Sequence, residues 1–401
     1  MPGLIEILSL GRVPLANALL TERQLAEVEE TYPLNLFFCP RCSLVQIAET
    51  VSPEKLFSEY LYYSSFSDTT LHHAEALVRS LIEKQGLSAR SLAVEIASND
   101  GYLLQYYERS RIPVLGIEPA ANLALQAQTK RGVSTLCDFF SERVAQRLVG
   151  EGREADVIHA HNVLAHVPDL NGFVRGLKLL LKKTGVAVVE IPYVRDLVEQ
   201  SAFDTIYHEH LCYFSLTTLD SLFNRNGLII CDVERLAIHG GTLRIYLNHR
   251  ERAADSRSTA VLRMLQEEKE HGLQDPAFYL SFGARVGALR DHLLILLRQL
   301  KARGARIAGY GASAKGSTLL NYFRIGPETI EYVVDRSTVK QGRYTPGNHL
   351  RIYPPGKLLE DLPEYTLLLA WNLADEILEQ QKEYRRRGGR FIIPVPQPRV
   401  V

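Results

Sequence analysis

With 401 residues the chain is long enough for two or three domains of the usual ~150 residues, and 46% hydrophobic with 23% charged residues excludes a disordered or collagen-like polypeptide. Lys plus Arg (46) equals Asp plus Glu (46), so there is no overall basic surplus for a nucleic-acid backbone. No apolar run reaches the roughly 18 residues of a membrane span, and MPGLIEILSLGRV lacks the ordered regions of a signal peptide. A cytoplasmic protein is expected, with five sparse cysteines kept as thiols.

Residues 1–70 read as an irregular, loop-rich cap, in which Pro14, Pro33, Pro40 and Pro53 interrupt any long helix and CPRC (Cys39 to Cys42) makes a tight turn. The pattern then changes: in LHHAEALVRSLIEKQ, Ala74, Leu77, Leu81 and Ile82 recur at helical spacing. Strands are predicted over 92–97, 114–119, 133–140, 155–162 and 185–194, separated by helical stretches, which describes a parallel, doubly wound sheet. Two more, 228–236 and 241–248, are close enough in sequence to add as neighbours at one edge and make the sheet mixed. Over 277–303, Phe282, Val286, Leu289, Leu293, Leu297 and Leu300 repeat every three or four residues, as one long amphipathic helix requires. Strands at 306–311, 331–336, 366–372 and 390–395 then suggest a second, smaller α/β domain. The expected organisation is a cap (1–70), a larger α/β domain (71–250), a connecting helical segment (251–303) and a C-terminal α/β domain (304–401).

The strongest chemical signal is VEIASNDGYLL (Val94 to Leu104), a strand, a short loop of small and polar residues, and a helix. Such a turn lets backbone approach a ligand while the helix N-terminus offers free N–H groups, which nominates Glu95, Ala97, Asn99 and Asp100. Glu118, followed by Pro119 in GIEPA, lies a little over 20 residues after Glu95, where an acidic side chain can accept hydrogen bonds from both hydroxyls of a ribose. Ala97 and Ser98 stand where the dinucleotide fingerprint needs glycines, so an adenosine-like ligand without phosphates fits better than NAD.

The second signal is FDTIYHEHLCYFS, which gathers Tyr207, His208, Glu209 and His210 after the fifth strand, as a proton-transfer site requires. His208 and His210 would share a face in a strand, but no third metal ligand has convincing spacing. Asn162 and His166, in HNVLAHVPD, fall at the end of the fourth strand, where a doubly wound sheet places its ligands. Third is GYGASAKGSTLL, a glycine-rich turn carrying Ser313 and Lys315 but lacking Walker spacing. With Asp335 ending the next strand, it suits either NAD or the diphosphate of a nucleotide-linked substrate.

The first two motifs look like those of class I methyltransferases. The whole set, in order, resembles the nucleotide-sugar C-methyltransferase family. The resemblance covers nearly the whole chain: LGRVPLANALL, YPLNLFFCPRC, LFSEYLYYSSFS, EIASNDGYLL, GIEPA, HNVLAHVPD, YHEH, HGGTLRIY and GYGASAKG with VVDRSTVKQGRYTPG. It implies a class I methyltransferase Rossmann-like domain, a small zinc-ribbon-like N-terminal cap, and a C-terminal Rossmann-like α/β domain that closes a sugar-nucleotide site. The implied cofactor is S-adenosylmethionine, with Asp138 and Phe139 around adenine and Asn162 beside it. The implied reaction methylates C-3 of a nucleoside-diphosphate-linked 4-keto-6-deoxysugar through an enolate. By resemblance His210 is the general base, Tyr207 stands beside the sugar, and Glu209 binds or orients it. His166 and Tyr62 hold the enolate oxygen or hydroxyl groups, and Asn162, Ser313, Lys315 and Arg343 serve the substrate. The family's zinc is held by two cysteine pairs; only Cys39 and Cys42 are present, half a site, so a complete zinc site is not expected. A sugar nucleotide is the expected partner, with neither nucleic acid nor membrane. The rival readings are an O- or N-methyltransferase, an NAD-dependent nucleotide-sugar oxidoreductase or epimerase, and a non-catalytic sugar-nucleotide binding protein.

Overall fold

Three β-sheets organise the molecule, a computed structural model that describes residues 3–57, 60–253 and 257–401. Ser58 and Glu59 of the LFSEYLYYSSFS motif lie outside the described residues, as does the side chain of His239.

The N-terminal segment is more regular than its prolines suggest. Ile5–Val13 pairs antiparallel with Tyr32–Phe38, which pairs with Val45–Ile47. Along Tyr32–Phe38 the residues Leu34, Leu36 and Phe38 are buried, the period of two that a one-sided sheet needs. Pro33 is tolerated because it sits near the start of its strand, where the third strand, pairing only Leu36 to Phe38, does not reach. The fourth strand of this sheet comes from far away: Cys212–Tyr213 pairs with Val45 and Gln46. The segment following YHEH is thereby sewn into the cap, which fixes His210 at a junction between two sheets.

The central sheet has the order Leu228–Leu236, Thr242–His249, Leu181–Pro192, Ala155–His161, Ala93–Ile96, Val114–Ile117, Thr135–Leu136. The last five run parallel, while Thr242–His249 is antiparallel to both neighbours, so the mixed edge hairpin forms as expected. Strands such as Ala93–Ile96 are buried at every position because helices cover both faces. The expected strand over 133–140 shrinks to Thr135–Leu136. It is an edge strand with one neighbour, and Ser141 soon caps the helix Glu142–Gly150 by accepting the Val144 N–H. Residues 137–140 are thus released as a loop at the sheet's C-terminal end. The helix Asp68–Gln85 buries Ala74, Leu77, Val78 and Leu81 and stops at Gly86, whose φ of 60° is the left-handed conformation glycine adopts freely.

The long helix predicted over 277–303 is broken at Ser281 into Pro276–Leu280 and Phe282–Ala302, and all six residues of the predicted stripe are buried. It packs on the N-terminal sheet, where Tyr279 meets the Phe38 ring at 5.0 Å and Gly283 lets the helix approach the Ile7 carbonyl. The third sheet runs Ile352–Tyr353, Val333–Val334, Ile307–Tyr310, Tyr365–Leu368, Arg390–Ile393, Arg399–Val400, parallel except for the last. Ile352–Tyr353 and Arg399–Val400, two residues each, carry no readable alternation and escaped the sequence reading. No helix among the described residues is long and apolar enough to cross a membrane.

Candidate active site

A cavity of about 700 Å³ opens at the C-terminal ends of the strands Ala93–Ile96, Val114–Ile117, Ala155–His161 and Leu181–Pro192. This crevice includes the point where strand order reverses, the usual ligand site of a doubly wound sheet. It is walled by Phe57, Tyr60, Tyr62 and Ser64 on one side and by Ser313, Ala314, Lys315 and Ala370 of the third unit on the other.

At one end lies the VEIASNDGYLL loop. Ala97 and Asn99 adopt left-handed φ values of 56° and 50°, conformations sustained only where the surroundings dictate them. Glu118 is part of what dictates them: its carboxylate accepts the Asn99 N–H at 2.8 Å and the Ala120 N–H at 2.9 Å. Burial pushes the pKa of Glu118 up to about 7 despite those two donors. Ala97, Asn99, Glu118, Pro119, Phe139 and Asn162 all line the cavity. The Asn99 side chain also ties down the wall, accepting the Ser64 N–H at 2.9 Å and donating to the Tyr62 carbonyl at 3.0 Å.

Three of the nominated cofactor residues do not line the cavity. Glu95 is buried beneath it, and desolvation, with Glu118 and Asp100 nearby, pushes its pKa well up, favouring the neutral acid. Asp100 turns back to accept from the Ser65 hydroxyl and lies 3.3 Å from Arg131. Asp138 points away toward Arg147 at 3.7 Å. The lining at this end includes Phe140, which the sequence reading did not single out.

At the other end four rings follow in series: Phe57 stacks on His166 (5.4 Å between centroids), His166 on His210 (5.0 Å), and Tyr207 lies tilted against His210 (4.0 Å). His210 Nδ1 lies 2.8 Å from the Thr205 carbonyl, which can only accept, so Nδ1 carries the proton and Nε2 the lone pair. Burial, then His166 and Lys315, hold the His210 pKa well below its usual value, and burial brings His166 down to about 4. Both imidazoles are neutral at neutral pH. The turn that presents His210 is closed by its N–H on the Tyr207 carbonyl at 2.9 Å, and both side chains line the cavity.

Glu209, between them, does not line it. Its carboxylate accepts from Asn17 Nδ2 and the Tyr60 hydroxyl, each at 2.7 Å, and burial pushes its pKa up to about 7. Asn17 and Tyr60 do line the cavity, so Glu209 reaches a ligand only through them. His208 turns the opposite way, to the Pro33 carbonyl at 3.1 Å, and forms no metal pair with His210. Arg343 is held in a turn whose backbone bonds to Lys340 and Ile352, away from the cavity lining.

Ser313 caps the helix Ala314–Phe323 through the Gly316 N–H, and Lys315 projects inward, donating to Thr205 Oγ1 at 2.9 Å with its ammonium 4.9 Å from the Trp371 ring. Trp371 in turn donates to Asp204 at 2.6 Å. The glycine-rich turn thereby grips the residue whose carbonyl orients His210. Asp335 accepts the Ala312 and Ser337 N–H groups, each at 2.7 Å, and, unlike Glu118, does not line the cavity.

Three family models match in sequence: a putative zinc binding domain over 2–57, a methyltransferase domain over 70–232, and a C-methyltransferase C-terminal domain over 237–396. C-methyltransferase NovU of Streptomyces niveus is 36% identical over 398 residues, 99% of this chain and 94% of that one. The chain belongs to the C-methyltransferase family. Among solved structures, a protein of Pyrococcus horikoshii OT3 is 14% identical, covering 49% of this chain and 97% of its own (TM-score 0.38). Magnesium protoporphyrin IX methyltransferase from Synechocystis PCC 6803 with bound SAM is 13% identical, covering 44% and 78% (TM-score 0.34).

This C-methyltransferase is an S-adenosylmethionine-dependent enzyme. Its cavity fits that cofactor: an acidic residue at the second strand's end, a loop without the glycines of a dinucleotide fingerprint, and aromatic walls suit an adenosine and a sulfonium. Zinc fits less well. Cys39 and Cys42 supply two of the four donors a structural site needs, and no group of three or more metal-ligating side chains occurs among the described residues. No step is routed through a metal.

Proposed function

We propose that this enzyme methylates C-3 of a nucleoside-diphosphate-linked 4-keto-6-deoxysugar, with His210 as the base. The observation that carries the reading is the lone pair of His210 Nε2, unpaired by the Thr205 bond and presented in the same cavity as the Glu118 loop. The division into cap, methyltransferase domain, helical connector and C-terminal domain belongs to this reading, as does a cytoplasmic setting.

A ketone at C-4 acidifies the hydrogen on C-3. His210 takes that proton at Nε2, and the bonding pair passes into the C-3–C-4 bond and on to the ketone oxygen. The imidazolium so formed keeps its Nδ1–H on the Thr205 carbonyl and faces the Tyr207 ring, whose π face favours a cation. S-adenosylmethionine supplies a methyl group on a sulfonium, open to in-line attack by carbon. Glu118, Asn99, Ala97, Pro119, Phe139 and Asn162 would hold that cofactor. Tyr62, His166, Ser313 and Lys315 would hold the sugar and its diphosphate. His166 Nε2 is buried without a hydrogen-bond partner among the described residues, which suits it to a substrate hydroxyl or the enolate oxygen. Glu209 fixes Tyr60 and Asn17 against the sugar.

In deuterated buffer without methyl donor, the enzyme is expected to wash deuterium into C-3 of a thymidine- or guanosine-diphosphate 4-keto-6-deoxysugar, read by mass and NMR. Retention of protium at C-3 during turnover to an O-methylated product would overturn the carbanion route.

A further inference from the structure

One buried constellation on the cavity wall has no part in the account above. The strand register sets His161, Glu190, Arg244 and Glu234 side by side across four strands of the central sheet. The helix Asp68–Gln85 adds Thr70 and His73 over the same face. Glu190 accepts from Arg244 Nε at 2.7 Å and lies 2.8 Å from His73 Nε2, with His161 Nδ1 at 3.7 Å. These positive or polar partners hold its pKa well below the carboxylate range, so it is ionised. Thr70, His73, His161 and Glu190 all line the cavity.

The position is informative. With adenosine held by Glu118, the rest of the methyl donor can run only inward along the sheet, because Thr135–Leu136 is the edge on the other side. That path crosses Ala97 and meets Thr70, His73, His161 and Glu190. The part of the donor that arrives there is an amino acid, carrying an ammonium and a carboxylate. Two features of the wall await a ligand. Glu190 Oε2 has a 3.0 Å contact to His73 and a 3.7 Å approach from His161, beyond hydrogen-bond reach, leaving lone-pair capacity, whereas Oε1 is taken twice. The Thr70 hydroxyl is buried with no hydrogen-bond partner among the described residues, a cost that a native protein accepts where a ligand repays it.

We propose that Glu190 and Thr70 bind the zwitterionic amino-acid end of the methyl donor, Glu190 Oε2 accepting from its α-ammonium. The inference rests on the cofactor reading above. Asp169 and Glu142 on the same wall are engaged elsewhere, Asp169 capping a helix through the Gly172 N–H and Glu142 pairing with Arg175, and Glu118 lies at the adenosine end.

Titration calorimetry of the full chain with two probes tests it: S-adenosylhomocysteine, and 5′-methylthioadenosine, which shares the adenosine and sulfur but lacks the amino-acid end. Glu190→Gln is expected to weaken S-adenosylhomocysteine by roughly tenfold or more, as loss of a hydrogen bond to a charged group does, and to leave methylthioadenosine within about twofold. A parallel loss of both probes, or of neither, overturns the proposal. Because Glu190→Gln strips Arg244 of a buried partner, Thr70→Val, nearly isosteric, serves as the second variant. It is expected to weaken S-adenosylhomocysteine selectively with unchanged thermal unfolding; equal affinity of the variant and the parent for both probes overturns the Thr70 contact. Failure of the unmodified protein to bind S-adenosylhomocysteine would instead overturn the cofactor reading.

Discussion

Replacement of His210 by alanine is expected to lower kcat by about 10²- to 10⁴-fold, the usual worth of a positioned general base, while S-adenosylhomocysteine still binds. The Thr205 carbonyl fixes the neutral ring so that Nδ1 is the donor and Nε2 the acceptor, and the neighbouring rings of His166 and Tyr207 restrict its freedom to turn. The other imidazole of this stack, His166, lies one step further along, next to Phe57. The pH dependence follows with its sign: the base form persists below the ordinary histidine pKa because burial depresses it, so activity falls only as pH drops through that lowered value. Near-normal turnover of His210→Ala, or an acid limb above pH ~6.5, would remove His210 from the mechanism.

The second large effect is expected at Glu118. Glu118→Gln replaces one acceptor oxygen by an NH₂ group that must confront a backbone N–H, either of Asn99 or of Ala120, and it removes the charge from the ribose position. A loss of S-adenosylhomocysteine affinity of about 10- to 100-fold is expected, equivalent to ~1.5–3 kcal/mol for hydrogen bonds to a charged group. In the parent protein Glu118 titrates near 7, and hydroxyl donors favour its carboxylate form, so binding releases a proton and tightens as pH rises through that value. Calorimetry at several pH values reads both effects. A variant of unchanged affinity, or a parent whose affinity weakens between pH 6 and 8, would contradict the ribose role.

Much of this was legible in the sequence because buried parallel strands are near-continuous apolar runs and because a helix stripe repeats with fixed period. The six buried positions from Phe282 to Leu300 needed nothing but that period. The cap was misread as irregular because its strand alternation is short and punctuated by Pro33 and Pro40, whose harmlessness depends on where neighbouring strands end. The YHEH segment announced chemistry by its density of titratable groups, but only the turn closed between Tyr207 and His210 decides that these two face the cavity and that Glu209 and His208 do not. Asp100 and Asp138 have the right spacing for a cofactor and the wrong side-chain direction, which spacing cannot encode. Glu190, His161 and Arg244 were missed for another reason: each is a polar residue in an otherwise apolar strand, a local signal, but their adjacency exists only once strand order and register are known.

The most direct test of the account is transfer of a ¹³C-labelled methyl group from S-adenosylmethionine to a nucleoside-diphosphate 4-keto-6-deoxysugar, with the product examined by NMR. The account predicts the label on carbon C-3, with loss of the C-3 proton signal and none of this in His210→Ala. Label on an oxygen or nitrogen atom, or on C-3 at an undiminished rate in His210→Ala, would contradict it.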